Sequence, residues 1–308
     1  MKYFAILLSV LVLFSCTKEV KIDIPGYEKQ LVVDGSIRTG EPPVILLSTS
    51  QNIYSPTDLS AYLSSFVSNA TVTVSDGTTT VQLIQICTDN LPPGTEAYAE
   101  AIFGMPIAQL QQLHLCAFTS FDPNIFGQVG KTYSLTVVYE GKTYTSSTTI
   151  ENPTSLAYLN WKPEPNNANI GYLYGFINDN PNYDDAYMWE AKYLNEGSFT
   201  KPFGPYFNDQ FFNGLSFEFT AYNPMSFMDS AMASSPDAGY YHLGDTIVYR
   251  LSKMGKKEFQ FFDKKINQVF SAGSPFATPI NVPTNISGGA LGVWVGYSPW
   301  YDTVICTP

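Results

Sequence analysis

The residue with the most distinctive chemistry is Cys16, which ends the stretch Leu13-Phe14-Ser15-Cys16. Lys2 gives the chain a positive start, and residues 4–14 form an apolar run that only Ser9 interrupts. That run is far shorter than the ~20 residues that an α-helix needs to cross a bilayer. A small residue before a cysteine, at the end of such a run, is typical of a bacterial lipobox, whose thiol accepts a diacylglyceryl group. The sequence therefore predicts lipidation at Cys16.

The predicted lipid anchor divides the start of the chain into a signal peptide, residues 1–15, and a tether, residues 16–29. Thr17 stands where an aspartate would favour retention in the inner membrane. Lys18-Glu19 partly matches the basic-then-acidic signal that sends Bacteroidota lipoproteins to the cell surface, although Val20 replaces its second acidic residue. We therefore expect a protein that is lipid-anchored in the outer membrane, on the extracellular face. A periplasmic position stays open, as does a plain secretory peptide with an incidental cysteine.

Three further cysteines, Cys87, Cys116 and Cys306, would face oxidising conditions outside the cytoplasm. Cys87 and Cys116 bracket 28 residues. A disulfide that closes this loop would stabilise the fold by roughly 3–4 kcal/mol in the loop-entropy estimate. We predict that these two cysteines pair, and two buried thiols are the alternative. Cys306 would then have no partner.

The sequence lacks the motifs of common enzymes. The two histidines, His114 and His242, are far apart and in no zinc-ligand spacing. Neither a G-x-S-x-G elbow nor a P-loop occurs. Ser198-Phe199-Thr200-Lys201 spells S-x-x-K, but no K-T-G follows, and so short a match is expected by chance. We therefore predict no catalytic residue, no metal site and no cofactor.

Oxygen-bearing side chains alternate in one loop as Asn178, Asn180, Asn182 and Asp184. This spacing superficially resembles a calcium loop, but the glycine of the sixth position is missing and Trp189 occupies the twelfth. A loop between two strands is the favoured interpretation. Carboxylates such as Asp184-Asp185 or Glu190 could hydrolyse a glycoside only if folding placed a partner ~5–9 Å away.

Composition excludes one class of partner and favours one class of fold. The chain has 16 Lys and Arg against 27 Asp and Glu, a formal net charge of −11. Nucleic-acid binding needs clustered cations, so we expect no nucleic-acid partner. Tyr and Phe number 21 each while charged residues make up only 14 %, which favours β-structure. A chain of 308 residues can bury one large core or two medium ones.

Aromatic residues are concentrated in the second half, where residues 199–214 and 223–243 are long, lack strand alternation and are rich in Gly, Asn and Pro. Long irregular segments are often functional. The candidates for a binding surface are Tyr206, Phe207, Phe211, Phe212, Tyr240 and Tyr241. Exposed, they could stack on sugars or anchor a partner protein, whereas buried they would be sheet core.

The first half consists of short strands joined by turns. Strands are predicted at residues 30–38, 43–49, 70–74, 79–86, 132–139 and 142–150. Asp76-Gly77 and Glu140-Gly141 are turn signals. Residues 60–66 and 106–115 can form short helical segments. This pattern predicts an immunoglobulin-like β-sandwich at residues 30–152, with residues 87–116 as an insertion.

The second half is predicted as another antiparallel β-rich domain, residues 153–308, after a turn-rich boundary near residues 152–165. Strands are predicted at residues 171–177, 186–194, 215–222, 246–251, 290–297 and 301–305. Residues 257–270 change period and predict one amphipathic helix, with its apolar stripe at Phe259, Phe262, Ile266 and Val269.

Two stretches of the chain resemble a known family. They are Lys29-Gln30-Leu31-Val32-Val33-Asp34-Gly35 near the start, and Gly273-Ser274-Pro275-Phe276-Ala277 with Asn285-Ile286-Ser287-Gly288-Gly289-Ala290-Leu291-Gly292-Val293 near the end. The chain resembles a Bacteroidota outer-membrane lipoprotein family of unknown function, DUF4249, often encoded beside TonB-dependent receptors. The resemblance spans nearly the whole mature chain and rests on structural residues. It implies partnership with an outer-membrane β-barrel and carries over no catalytic residue.

Together these features lead us to expect a non-enzymatic accessory or binding subunit of a TonB-dependent transporter or another outer-membrane barrel. Two other classes stay open at this point. One is a cell-surface enzyme that hydrolyses glycan or peptide, and the other is a structural or adhesion module.

Overall fold

The computed structural model describes residues 28–51, 58–182, 184–228, 230–271 and 281–307, with the backbone alone at Leu59. The predicted lipidation site Cys16, its signal peptide and most of its tether lie outside the described residues, as does the Gly273–Ala277 part of the family motif. Within these ranges the protein is mainly β, as predicted, with several antiparallel sheets. None of the helices described combines the length and apolar character that a membrane-crossing helix needs.

Strands dominate the described elements. They are β1 (Leu31–Arg38), β2 (Val44–Thr49), β3 (Thr71–Ser75), β4 (Thr80–Gln82), β5 (Ile84–Cys87), β6 (Cys116–Thr119), β7 (Thr132–Tyr139), β8 (Lys142–Thr149), β9 (Leu156–Glu164), β10 (Asn167–Asn178), β11 (Ala186–Tyr193), β12 (Tyr206–Asn208), β13 (Ser216–Ala221), β14 (Tyr241–His242), β15 (Thr246–Met254) and β16 (Leu291–Ile305). The helices are α1 (Leu59–Leu63), α2 (Glu96–Phe103), α3 (Ile107–Leu110), α4 (Ser230–Ala233) and α5 (Lys256–Ser271).

Hydrogen bonds join these strands into three sheets. The largest has eight strands in the order β12-β11-β15-β16-β1-β2-β6-β5, and the second has the order β4-β3-β7-β8. In the third, β13 and β14 pair with β10, and β9 also pairs with β10. Side chains of the first two sheets share one hydrophobic cluster, which includes Ile45 of β2, Val72 of β3, Leu135 of β7 and Trp294 of β16. The two sheets therefore form a sandwich, to which β16 from the second half of the chain also contributes.

The last strand, β16, joins both parts of the chain. It runs for 15 residues, where the sequence predicted two strands at residues 290–297 and 301–305. Its first half pairs in parallel with β1, and its second half pairs antiparallel with β15. The predicted domains 30–152 and 153–308 therefore share a sheet. Their division at residue 152 stays a prediction. Strand β16 belongs to the second predicted domain but pairs with β1 of the first.

Strand β9 occupies most of the stretch that the sequence predicted as a turn-rich boundary. Leu159 and Trp161 are buried and the residue between them is exposed, as in a strand with one face toward the interior. Pro163 lies near the end of the strand. Among the described strands, β9 pairs with β10 alone, so it lies at an edge of its sheet, where proline is tolerated. The turn that the prolines and asparagines indicate is confined to the connection between β9 and β10.

The predicted amphipathic helix, residues 257–270, is α5, with one extra residue at each end. Phe261 and Phe262 are buried and pack with side chains of the eight-stranded sheet. The predicted stripe is correct at Phe262 but wrong at Val269, which is 64 % exposed. The difference arises because the buried residues of α5, including Glu258, all lie in its first half, so its last turns lie away from the sheet.

The insertion, residues 87–116, has a hydrophobic cluster of its own. Its buried residues are Ala99 of α2, Leu110 of α3 and Leu115. The helix predicted at residues 106–115 is a single turn, α3, whereas α2 is not among the predicted elements. The insertion therefore packs mainly on itself, between strands that belong to the large sheet.

The motif near the end of the chain fixes the start of β16. The side chain of Asn285 accepts a hydrogen bond from the N–H of Trp294 at 2.9 Å and donates one to its carbonyl at 2.8 Å. This amide takes the place of a neighbouring strand, because the pairing of β15 with β16 ends at Ser298. On the other side Gly292 has a φ of +107°, and a Cβ there would collide with the carbonyl oxygen of Val33. Only glycine meets both requirements.

We predict that Gly292→Ala lowers the free energy of unfolding by about 3 kcal/mol or more, because backbone strain and the clash with β1 add together. Gly40→Ala is the matched control, since Gly40 also has a positive φ but has no atom near its missing Cβ. Strain alone should cost the control about 1 kcal/mol. Urea unfolding measures both, and equal losses in the two variants would contradict the close approach of β1 and β16.

Candidate functional site

The cysteines of the insertion form a compact group with one histidine. Cys87 and Cys116 face each other in adjacent strands and are joined by a disulfide. The Nε2 atom of His114 is 3.6 Å from the sulfur of Cys116, and its Nδ1 atom is 2.9 Å from the carboxylate of Asp89. In the described ranges, Cys87, His114 and Cys116 are the one group of three metal-ligating side chains whose ligand atoms lie within 4.8 Å of one another. Cysteine binds a metal as a thiolate, so the disulfide removes both sulfurs as ligands. The disulfide thus closes the base of the insertion.

The remaining cysteine and histidine are elsewhere in the fold. Cys306 is buried, and burial raises the pKa of its thiol to about 12, which keeps it protonated at neutral pH. His242 belongs to β14, with its ring 3.7 Å from the carboxylate of Asp237 and 4.0 Å from that of Asp245. The two histidines therefore lie in different parts of the structure, each beside its own carboxylates.

The loop that superficially resembles a calcium site is held by its own hydrogen bonds. The side chain of Asn180 accepts a hydrogen bond from the backbone N–H of Asn182 at 3.0 Å, which makes an Asx turn. Asp184 forms an ion pair with Lys256 at the start of α5. These oxygens are used to shape a connection between β10 and β11, in line with the favoured interpretation.

Two buried carboxylates lie beside this loop. Asp185 pairs with Lys253 at 2.6 Å and accepts a hydrogen bond from the Tyr187 hydroxyl at 3.0 Å. Asp179 accepts one from the N–H of Gly214 at 2.8 Å, and burial raises its pKa. The Tyr187 hydroxyl also lies 3.4 Å from Asp179, so it occupies the space between the two carboxylates. They fasten neighbouring segments together and leave no room for a substrate between them.

Three of the six predicted surface aromatics pack against other parts of the protein. Tyr241 is fully buried, so its assignment to a surface is wrong. Tyr206 stacks on Phe262 of α5 with ring centroids 4.2 Å apart. Tyr240 lies on Tyr172 at 4.6 Å. The physical reason is that β12 and β14 join larger sheets, which turns these rings toward neighbouring strands and α5.

The other three predicted residues behave differently from one another. Phe211 is 88 % exposed, whereas its neighbour Phe212 is half-buried. Phe207 is also half-buried and lies 6.3 Å from Phe212 between ring centroids. Phe207 and Phe212 face the interior between two sheets, while Phe211 points to solvent.

The two long aromatic segments meet at a surface patch that consists of Phe203, Tyr222, Phe227 and Met228. The ring of Phe227 lies 5.8 Å from those of both Phe203 and Tyr222, and the Tyr222 hydroxyl accepts a hydrogen bond from the N–H of Phe203 at 2.8 Å. Phe203 is 72 % exposed and Met228 is 73 % exposed. Sequence reasoning selected both segments but none of these four residues, since their contact depends on how the segments fold back.

A buried ion pair holds the segment that leads to this patch. The guanidinium of Arg250 donates to the carboxylate of Glu190 through Nε at 2.8 Å and Nη2 at 2.6 Å. Phe199 covers the same guanidinium, with its ring centroid 3.8 Å from Cζ. Thr200 then pairs through its backbone with Ala191 of β11. The segment before Phe203 is therefore held against β11 and β15. Two residues of the S-x-x-K sequence, Phe199 and Thr200, make these contacts.

A cavity of about 250 Å³ lies between β13 and the neighbouring strands β11 and β15. The residues that line it are Ile177, Trp189, Phe207, Phe212, Phe217, Phe219, Thr220, Ala221, Tyr249 and Leu251. The cavity is partly open to solvent and its walls are almost entirely apolar, so water inside it would find few hydrogen-bond partners. Concave, mostly apolar sites of this kind commonly bind small molecules, so the cavity is a candidate binding site.

A larger groove, of about 820 Å³, is polar. It lies between β7, β8, the start of α5 and residues 283–287, and serine, threonine and asparagine side chains provide much of its lining. Among the described residues of that lining, Lys257 is the one charged residue, and none of them is aromatic. Sugar-binding sites commonly use ring stacking, so the aromatic cavity and the patch are the stronger candidates.

The fold is therefore that of a mainly β protein whose second half carries an aromatic patch and an aromatic cavity. The family model described as "Domain of unknown function (DUF4249)" matches residues 17–299, and the chain belongs to that family. No curated protein matches the chain.

We predict that reduction of the Cys87–Cys116 disulfide lowers the free energy of unfolding by about 3–4 kcal/mol, because the unfolded chain regains the freedom of a loop of 29 residues. Denaturant unfolding with and without dithiothreitol measures the effect. Cys306→Ala should respond to the reductant as the wild type does, and the double variant Cys87→Ala/Cys116→Ala should not respond. A wild type that is indifferent to reductant would contradict the prediction.

Proposed function

We propose that this protein is a lipid-anchored lipoprotein of the outer membrane, on its extracellular face, and that it acts as a non-enzymatic accessory or binding subunit of a TonB-dependent transporter or another outer-membrane barrel. The observation that carries the proposal is the exposed patch of Phe203, Tyr222, Phe227 and Met228. Family membership and the lipobox sequence that ends at Cys16 support the anchoring part.

The patch has the character of a protein contact surface. Aromatic residues and methionine are enriched at the centres of interfaces, where they provide large contact areas. Phe203 and Phe227 come from different segments, and the hydrogen bond from Phe203 to Tyr222 holds them in register. A pre-formed surface of this kind loses little conformational entropy when a partner covers it.

The hydrolase alternative receives less support. A glycosidase needs two carboxylates opposed across a substrate cleft. Asp179 and Asp185 are buried and joined through Tyr187, and the carboxylate of Glu190 is paired with Arg250. A structural or adhesion module would use the same exposed patch. The identity of the bound partner distinguishes the two functions, because only the proposed function requires an outer-membrane barrel.

We predict that the double variant Phe203→Ala/Phe227→Ala weakens the association with the barrel by about 2 kcal/mol or more, because these two rings are exposed and contact each other in the patch. The measurement is the yield of barrel that co-purifies from native membranes in mild detergent. Tyr62→Ala/Phe121→Ala is the matched control, since it removes two exposed rings from the first half of the chain. An unchanged yield from the patch variant, with the fold intact by circular dichroism, would exclude this surface as the contact.

We predict that Cys16→Ala abolishes membrane attachment, because the thiol that accepts the lipid is lost. Fractionation of cells should find the wild type in the outer membrane and the variant in soluble fractions. Protease added to intact cells should degrade the wild type if it lies on the extracellular face. A variant that stays in the membrane would contradict the anchor, and a wild type that survives protease would contradict the extracellular face.

A further inference from the structure

We propose that the cavity between β13 and the strands β11 and β15 binds a small neutral aromatic compound with one or two rings. This inference goes beyond the docking role, because it requires neither a lipid anchor nor a partner protein. Three features of the cavity lead to it, namely the chemistry of its walls, its volume and the arrangement of its rings.

The walls exclude charged and sugar-like ligands. Of the ten described residues that line the cavity, nine are aliphatic or aromatic, and the tenth, Thr220, belongs to the exposed face of β13 by strand alternation. Tyr249 is fully buried, and burial raises the pKa of its hydroxyl, so it stays neutral. A ligand with many hydroxyl groups, or with a charge, would lose its water and gain almost no hydrogen bonds in return. The ligand must therefore be mostly hydrocarbon.

The volume limits the size of the ligand. An apolar cavity of about 150 Å³ is large enough to hold benzene, and drug-sized ligands occupy pockets of about 300 Å³ or more. At about 250 Å³ this cavity lies between those limits. One ring, or two fused rings, is the size that fits.

The arrangement of the lining rings favours a planar guest. Trp189 and Tyr249 are stacked, with centroids 5.7 Å apart and an interplanar angle of 20°, and they present flat surfaces on the side of β11 and β15. Phe212 and Phe217 meet edge to face at 5.1 Å and 60°. Aromatic pairs prefer offset-stacked or edge-to-face contacts. A guest ring can make both kinds of contact with these four residues. A flexible alkyl chain would bury apolar surface but would make no ring–ring contacts.

The test is isothermal titration calorimetry of indole and benzene into the full-length protein, purified in a mild detergent, with the same detergent buffer without protein as the blank. We expect saturable binding of one molecule per chain, with a Kd between about 1 μM and 1 mM for indole. Hexane and glucose are the comparison probes. Tighter binding of hexane than of benzene, or binding of glucose as tight as that of indole, would overturn the assignment to an aromatic ligand. The absence of saturable binding for both indole and benzene would overturn the site itself.

Neighbouring residues provide matched variants. Ala221→Phe fills the cavity and should weaken indole binding at least about tenfold, since hydrophobic pockets discriminate strongly by size. Phe211→Ala removes a ring that is exposed and does not line the cavity, so indole binding should stay within about twofold of the wild type. An equal loss in both variants would place binding on the surface and overturn the proposal. If Ala221→Phe does not fold, Phe219→Ala enlarges the cavity and should admit anthracene, which the wild type excludes, and failure to admit it would also count against the site.

Discussion

The rest of the structure depends on the position of one side chain, Trp294. Its indole is fully buried, and the indole N–H donates to the carbonyl of Tyr133 at 2.9 Å across the sandwich. The ring lies on Gly35, where a Cβ would come within 2.8 Å of it. Burial of an indole of this size is worth roughly 4–6 kcal/mol. This single residue of β16 therefore holds both sheets of the sandwich together and depends on Gly292 for its close approach to β1.

The same contact sets the relation between the two ends of the chain. Because β1 pairs in parallel with β16, the eight-stranded sheet cannot be completed until residues near the C-terminus are in place. Contacts between residues this far apart in the sequence have a large entropy cost of loop closure and form slowly. The result is that β1 is an interior strand, between β2 and β16. The predicted tether, residues 16–29, leads directly into it. If the protein is anchored as proposed, the tether connects the lipid to an interior strand of the sheet and not to an edge strand.

Local signals predicted some elements almost to the residue and missed others for identifiable reasons. The hairpin of β7 and β8 was predictable because alternating strands flank Glu140-Gly141, a turn in which both residues have positive φ. β9 was not, since a proline at a sheet edge has the same sequence signature as a loop. The aromatic candidates show the limit most clearly. Phe211 and Phe212 are identical neighbours, yet one is exposed and the other lines a cavity. Only the fold of the segment around them decides which is which.

The sandwich has one hydrophobic core, and a second surrounds the cavity and includes Tyr187, Tyr241 and Tyr249. The difference between these two cores explains why the cavity is in the second. The first core is filled largely by aliphatic side chains around Trp294, and such side chains interdigitate closely. The second contains many rigid rings, which leave space between their faces. Gly175 argues against an accident of packing, because a Cβ there would come within 2.6 Å of the ring of Phe219. The glycine lets Phe219 lie flat against β10. Any larger residue would push that ring away from β10, so this wall of the cavity depends on the glycine.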